Sequence, residues 1–141
     1  MYKDILLPVD LGEEASWTKA LPMAVELCKA FGTRLHVMTV VPDFGMTMVA
    51  QYFPEHYEEQ ALESAHERLH EFVREHVPDG VEVQHIVGHG VIYEEILRVA
   101  DEVDADLILM ASHRPELKDY LLGPNAARVV RHSGRSVLVA R

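Results

Sequence analysis

The sequence contains little cysteine and no long apolar run. Cys28 is the single cysteine, which excludes a disulfide within the chain and is typical of a reducing compartment. No apolar run approaches the roughly 18 residues that a transmembrane helix needs. Residues 1–10 lead straight into a strand pattern, without the basic start and apolar core of a signal segment. These absences predict a cytoplasmic protein that has no membrane partner.

Basic residues are also scarce. The chain has 13 lysines and arginines against 23 aspartates and glutamates, and its formal net charge is -10. Such a balance disfavours polyanions, so neither nucleic acid nor an acidic membrane surface is expected as a partner. A small phosphorylated ligand is not excluded, because it needs only a local cluster of donors.

Short apolar runs alternate with amphipathic stretches along the 141 residues. The strand-like runs are Tyr2 to Val9, Leu35 to Val41, Val81 to Val87, Ala105 to Ala111 and Val137 to Ala140. The helical stretches are Trp17 to Phe31, Pro54 to Val77, Val91 to Val103 and a short one from Gly123 to Gly134. Because Pro22 lies within the first stretch, that helix is predicted either to start near Pro22 or to bend there. This alternation predicts an α/β fold: one domain, residues 1–141, with an open, mostly parallel, Rossmann-like sheet of five strands and helices on both faces. Residues 43–53 are apolar without a clear period and are predicted to form a loop.

The carboxyl ends of the predicted strands carry the candidate site, because ligands of open α/β sheets bind there. Val40 is placed to line a slot for a base, and Asp10 to accept a hydrogen bond. The turns at 111–114 and 123–126 are placed to donate backbone N–H groups to phosphate, and Arg114 adds a cationic fork. The alternative is that Asp10 caps the first helix and Gly123 only closes a turn. These residues alone do not decide between the two.

A wider pattern resembles the universal stress protein family over the whole chain. Its parts, in order, are Val9-Asp10, Asp106-Leu107-Ile108 with Ser112-His113, Leu121-Leu122-Gly123, Val129-Val130-Arg131-His132, and Ser136 to Arg141. The run from Ala111 to His132 is most similar to the F-type branch of small single-domain members. The resemblance implies a sheet of five parallel strands whose last strand, Ser136 to Arg141, pairs across a homodimer.

The resemblance also implies an adenine nucleotide, ATP or its ADP and AMP forms, with a magnesium ion carried by the nucleotide. Many family members bind ATP through three spaced glycines and a hydroxyl residue. Ala111 and Gly123 correspond to the first and third glycines, while Arg114 corresponds to the second unless that position is absent. Pro124 stands at the hydroxyl position, and Gly12 replaces a serine. The predicted binding residues are Pro8, Val9, Asp10, Val40, Met110, Ala111, Ser112, His113, Arg114, Gly123, Pro124, Asn125 and Ala126.

Two functions follow from the resemblance. The first is a cytoplasmic, nucleotide-dependent stress regulator or protective factor with at most slow ATP hydrolysis, since no general base is identifiable. The alternative is a dimeric interaction module that has lost or weakened nucleotide binding, as Pro124 and a loop about one residue short suggest. A phosphoacceptor receiver domain fits poorly, because the third strand ends at Gly88 rather than at an aspartate and the last strand has no terminal lysine.

The remaining reactive side chains are interpreted as structural. Cys28 falls on the apolar stripe of the first helix and is predicted to be a core thiol. His66 and His70 are spaced i, i+4 on the long helix, but a zinc site needs three or four convergent ligands and no third is evident in the sequence. A solvated helix face is therefore predicted there, with no metal. Ser112 and His113 are adjacent, and a strand would turn them to opposite faces, so no nucleophile is predicted.

Overall fold

A computed structural model describes residues 2–41, 57–112 and 123–141. The strands of these ranges are β1 (Asp4–Pro8), β2 (Arg34–Val41), β3 (Val83–His89), β4 (Leu107–Ala111) and β5 (Ser136–Ala140). The helices are α1 (Ala20–Phe31), α2 (Tyr57–His76), α3 (Ile92–Glu102) and α4 (Gly123–His132). The strands form one sheet in the order β3-β2-β1-β4-β5, with every neighbouring pair parallel. The predicted α/β fold with five strands is therefore confirmed. The predicted loop at 43–53 lies outside the described residues.

Helix α1 starts near Pro22, which is one of the two possibilities that the sequence left open. Trp17 follows a short 3-10 turn (Glu14–Ser16) and α1 starts at Ala20, which makes Pro22 its third residue. The missing N–H of Pro22 costs little there, because the first turn of a helix has no intrahelical partner for its N–H groups. At the other end, Gly32 takes the left-handed conformation (φ 64°), and its N–H bonds to the carbonyl of Cys28. The predicted glycine stop is confirmed.

The sheet buries both faces, which explains why its strands read as nearly continuous apolar runs. Helices α1 and α2 cover one face, and α3 and α4 cover the other. The first layer packs residues such as Ala24, Leu69 and Phe72 against Leu7, Val37 and Leu109. The second packs Ile96, Val99 and Val129 against Leu6, Met38 and Ile108. Helices reach opposite faces because the chain moves from β1 towards β3 and then crosses back to β4, with right-handed crossovers in both directions.

Cys28 lies in the first of these layers. Its side chain is 4% exposed, and burial raises the pKa of its thiol to about 11. A thiol in that state is not nucleophilic near neutral pH. The interpretation of Cys28 as a core residue is confirmed.

Polar side chains tie the amino ends of the strands together. Asp106 precedes β4, and its Oδ2 accepts the backbone N–H groups of Lys3 (2.6 Å) and Asp4 (2.9 Å). His36 is buried in β2, with Nε2 2.8 Å from Asp4 Oδ1 and Nδ1 2.5 Å from Gln84 Oε1. These contacts link β1, β2, β3 and the start of β4. They set the register from which the opposite ends of the strands emerge.

None of the helices in the described ranges combines the length and the apolar character that a bilayer crossing requires.

The Asp106 clamp predicts a pH dependence of stability. The hydrogen bonds from Lys3 and Asp4 hold the pKa of Asp106 below its ordinary value. The ionised form therefore stabilises the fold above the ordinary aspartate pKa of about 3.9, and this contribution is lost as the pH falls through the lowered value. Asp106→Asn should lower the urea midpoint at pH 7, and the gap to the unmodified protein should narrow below about pH 4.

The matched control is Asp79→Asn, at an exposed aspartate. It should leave the midpoint nearly unchanged at both pH values. A gap between Asp106→Asn and the unmodified protein that stays constant from pH 7 to pH 3 would show that the charge of Asp106 is not what stabilises β1.

Candidate functional site

A cavity of about 260 Å³ opens at the carboxyl edge of the sheet, between the ends of β1 and β4. From this point β1 leads into α1 on one face and β4 leads into α4 on the other. The segments that follow β1 and β4 therefore diverge and leave a groove between them. Open α/β sheets bind their ligands at this position. The lining residues are Pro8, Val9, Asp10, Ser16, Met38, Thr39, Val40, Ile92, Ile96, Met110, Ala111, Pro124, Asn125 and Ala126.

One side of the cavity is an apolar slot. Met38 and Met110 form its buried floor, and Val40 and Ile96 stand beside them. Ile92, in the first turn of α3, is 40% exposed and forms the rim. An exposed isoleucine at the mouth of an apolar cavity leaves a surface that a flat ring would cover favourably.

The loop after β1 holds Asp10 in a defined position. Ser16 Oγ accepts the N–H of Asp10 (2.9 Å) and donates to the carbonyl of Asp10 (3.0 Å). Asp10 Oδ1 accepts the N–H of Gly12 at 3.0 Å, which is an Asx turn. The carboxylate therefore does not cap α1, which starts at Ala20. Asp10 is exposed, and its Oδ2 has no hydrogen-bond partner among the described residues, so this oxygen is available to a ligand.

The first turn of α4 closes the other side of the cavity. Pro124, Asn125 and Ala126 line it, and Ala126 is buried against the second core layer. The first N–H groups of a helix have no partner within the helix and carry its positive dipole end. Pro124 has no N–H, so Asn125 and Ala126 are the lining residues of this turn that supply backbone donors.

Glu95 of α3 links this helix to the end of β3. Its Oε1 accepts the N–H of His89 at 3.0 Å, and Arg98 bonds to both of its carboxylate oxygens. The hydrogen bond from Arg98, followed by the one from His89, lowers the pKa of Glu95 although burial opposes the shift. A Cβ at Gly88 would lie 3.1 Å from Glu95 Oε1, so only glycine fits this approach without displacement. The contact fixes the end of β3 beside Val40, to which Gly88 is paired.

The structure brings most of the predicted site residues to this cavity. Those that line it are Pro8, Val9, Asp10, Val40, Met110, Ala111, Pro124, Asn125 and Ala126. Gly123 is the first residue of α4. Ser112 is described but does not line the cavity. The N–H of Ser112 donates to the carbonyl of Ala140 at 2.8 Å, so it extends the pairing of β4 with β5 and does not face a phosphate. His113 and Arg114 lie outside the described residues.

Sequence reasoning missed five lining residues: Ser16, Met38, Thr39, Ile92 and Ile96. Met38 was accessible from the two-residue period of a strand, because it shares a face with Val40. Ile92 and Ile96 form an i, i+4 pair on a helix that the sequence placed correctly but did not direct towards the site. Ser16 has no local signal, since its role depends on how the loop folds back on Asp10.

Comparisons with known proteins show the family to which the chain belongs. The model of the Universal stress protein family matches residues 1–141. Universal stress protein G of Escherichia coli O157:H7 is 32% identical over 147 aligned residues, which cover 100% of both chains. These comparisons do not test the F-type branch, which stays a prediction.

Two solved structures share the fold. Protein MJ0577 is 28% identical with a TM-score of 0.75, and the match covers 99% of this chain and 96% of that one. The universal stress protein from Archaeoglobus fulgidus in complex with dAMP is 20% identical with a TM-score of 0.61, covering 99% and 98%.

The clamp on Asp10 predicts a stability cost for its removal. Ser16→Ala deletes both hydrogen bonds to the backbone of Asp10 and should lower the free energy of unfolding by about 1 kcal/mol. Urea denaturation followed by circular dichroism measures the change. Ser64→Ala, at an exposed position of α2, is the control and should stay within about 0.5 kcal/mol of the unmodified protein. Equal stabilities for the two variants would mean that Ser16 does not hold the loop.

Proposed function

The chain belongs to the universal stress protein family, and on that premise we propose that it binds an adenine nucleotide, ATP or its ADP and AMP forms, in the cavity between β1 and β4. The observation that carries the proposal is one continuous cavity with an apolar slot at one end and the amino end of α4 at the other. A nucleotide has the same division, with an apolar base and an anionic phosphate. The cellular role proposed is a cytoplasmic stress-response regulator or protective factor.

The base fits the apolar slot. Met38, Val40 and Met110 offer polarisable and aliphatic surface to a purine ring, and Ile92 covers its outer edge. Thioether sulfur packs favourably on aromatic rings and adapts to their shape. Asp10 lies beside the slot with Oδ2 open, where it accepts a hydrogen bond from a ribose hydroxyl.

The phosphate fits the start of α4. The N–H groups of Asn125 and Ala126 and the side-chain amide of Asn125 are donors at the positive end of the helix dipole. Pro124 removes one donor from this turn, so binding rests on fewer groups than in the glycine-and-hydroxyl version of the site. A magnesium ion would arrive on the phosphate oxygens, as this hard cation prefers. The Archaeoglobus fulgidus relative in complex with dAMP supports an adenine nucleotide as the ligand class.

The described residues that line the cavity do not support efficient ATP hydrolysis. Asp10 is the titratable side chain among the lining residues, and its Oδ1 is already engaged with Gly12. A general base must reach the attacking water in a productive position, and no other described lining residue carries a proton acceptor of suitable pKa. ATP turnover is therefore slow at most.

Asn125→Asp tests where the phosphate binds. The added carboxylate suits the first turn of α4, so folding should be preserved. It should repel an anionic phosphate, and affinity for ATP and AMP should fall by about tenfold or more, in line with the 1–3 kcal/mol cost of a disrupted charged hydrogen bond. Isothermal titration of nucleotide-stripped protein measures both affinities. Adenosine, which has no phosphate, is the matched ligand and should bind the variant and the unmodified protein equally.

Two results would overturn the proposal. If titration with ATP or AMP at millimolar concentration released no heat, nucleotide binding would be excluded. The alternative function, a dimeric interaction module, would then remain, and the missing donor at Pro124 favours it. If Asn125→Asp lost affinity for adenosine and for ATP equally, the phosphate would not bind at the start of α4. Mass spectrometry of small molecules released from denatured protein gives an independent answer, since co-purified ATP, ADP or AMP contradicts the interaction module.

We also propose a homodimer through β5. This strand lies at one end of the sheet and pairs with β4 alone among the described strands. Its outer edge therefore presents unpaired N–H and C=O groups, a condition that proteins usually relieve by covering or pairing the edge. Residues Val137, Leu138 and Val139 are only half-buried, which leaves apolar surface for a second chain to cover.

Val139→Lys is expected to shift the mass seen in light scattering from dimer to monomer, because a charge would be buried between two apolar edges. Met23→Lys, at a 38% exposed position of α1, is the control and should leave the mass unchanged. Circular dichroism checks that both variants fold. A dimer that survives Val139→Lys would point to another interface.

A further inference from the structure

The start of α3 forms one wall of the apolar slot but has no capping side chain. Val91 precedes the helix and makes no side-chain hydrogen bond to its first turn, whose N–H groups a cap normally satisfies. Ile92 lies in this turn and Ile96 in the next, and both line the cavity. Because helix ends fray, a contact other than a cap is needed to hold these isoleucines at a fixed distance from the sheet.

Glu95 makes such a contact. It lies between the two isoleucines on α3, its side chain is 14% exposed, and its Oε1 accepts the N–H of His89 at 3.0 Å. Arg98 donates from Nε to Oε2 (2.8 Å) and from Nη2 to Oε1 (3.0 Å), which holds the carboxylate in one orientation. The hydrogen bond from Arg98 is also the main cause that lowers the pKa of Glu95, so the acceptor is ionised at neutral pH.

The opposite wall of the slot belongs to β2, and β3 lies beside it. Gly88 of β3 pairs with Val40, which lines the cavity. A Cβ at Gly88 would lie 3.1 Å from Glu95 Oε1 and 3.5 Å from Cε of Met38, which forms the floor of the slot. The end of β3 therefore lies against both the floor of the slot and the carboxylate that holds α3.

We propose that Glu95 is a positioning residue: by accepting the N–H of His89, it sets the width of the slot that receives the base. The inference rests on the proposed nucleotide function, and Glu95 itself does not line the cavity. It acts through the two isoleucines of α3, whose distance from Met38 and Val40 depends on where the helix is anchored. A flat ring contacts both walls of a slot of the right width, whereas in a wider slot it loses the contacts with one wall.

Three substitutions of Glu95 separate its reach from its charge. Glu95→Ala removes the acceptor and should weaken binding of AMP and of adenosine by the same factor, roughly tenfold, because the phosphate lies outside the slot. Glu95→Gln keeps an acceptor at the same reach and should stay within about threefold of the unmodified protein. Glu95→Asp keeps the charge but is one methylene shorter, so it should lose affinity as Glu95→Ala does. Isothermal titration of nucleotide-stripped protein measures each affinity.

Glu102→Gln is the matched control. Glu102 is exposed and accepts a hydrogen bond from Arg98 at 2.7 Å, so this variant also removes one negative charge and one partner of Arg98. It leaves the bond to His89 in place, and its affinity for AMP should be unchanged. Gly88→Ala disturbs the same contact from the strand, because the added Cβ displaces Glu95. Its affinity for AMP should fall, and normal binding by this variant would contradict the proposal.

Hydrogen exchange of the His89 amide measures the link between α3 and β3 without any nucleotide. Exchange should be faster in Glu95→Ala and Glu95→Asp, because the amide then loses its acceptor. It should keep its rate in Glu95→Gln and Glu102→Gln. If the amide exchanges at the same rate in all four variants, Glu95 does not anchor α3 and the proposal is wrong.

The titrations also distinguish this inference from the proposed function. If the unmodified protein binds neither AMP nor adenosine, nucleotide binding is excluded, and the role of Glu95 in it is excluded as well. If the unmodified protein binds both ligands and Glu95→Ala binds them equally well, only the positioning role is overturned. Affinity that is retained in Glu95→Asp but lost in Glu95→Gln overturns it too, because charge and not reach would then matter. Circular dichroism of each variant shows whether a loss of affinity is a loss of fold.

Discussion

The parallel pairing of β1 with β4 is the contact on which the rest of the structure depends. It joins strands that are distant in the chain, with Ile5 opposite Leu107 and Leu6 opposite Ile108. It also reverses the direction in which the sheet grows, so that α1 and α2 cover one face and α3 and α4 cover the other. The segments that follow β1 and β4 diverge at the carboxyl ends of these strands, and this divergence opens the cavity. The site is thus a consequence of topology before any of its side chains is considered.

The two ends of these strands have different tasks. At the amino ends, Asp106 accepts two backbone N–H groups from the start of β1, and His36 bridges Asp4 and Gln84. At the carboxyl ends, polar contacts shape loops: Ser16 holds Asp10, and Glu95 holds the end of β3. The polar contacts fix the register of the strands at their amino ends. Because the strands are tightly packed, this register also fixes the positions of their carboxyl ends, where the groove is open.

The sequence by itself determined the element order, the α/β class and most of the cavity wall. Apolar runs and helical stripes indicate directly which residues are buried. Asp10, Val40 and Ala111 follow or end parallel strands, and the carboxyl ends of such strands lie at the same edge of the sheet as the site. Pro22 left a helix start and a bend as alternatives for α1, and the structure shows the start, because the first turn of a helix does not need the N–H that proline lacks. Only the tertiary structure decided that Ser16 folds back on Asp10, that Ser112 extends the sheet, and that His85 stands against His70. These contacts join residues through loop closure and through the packing of separate elements, and no local pattern encodes a distance of that kind.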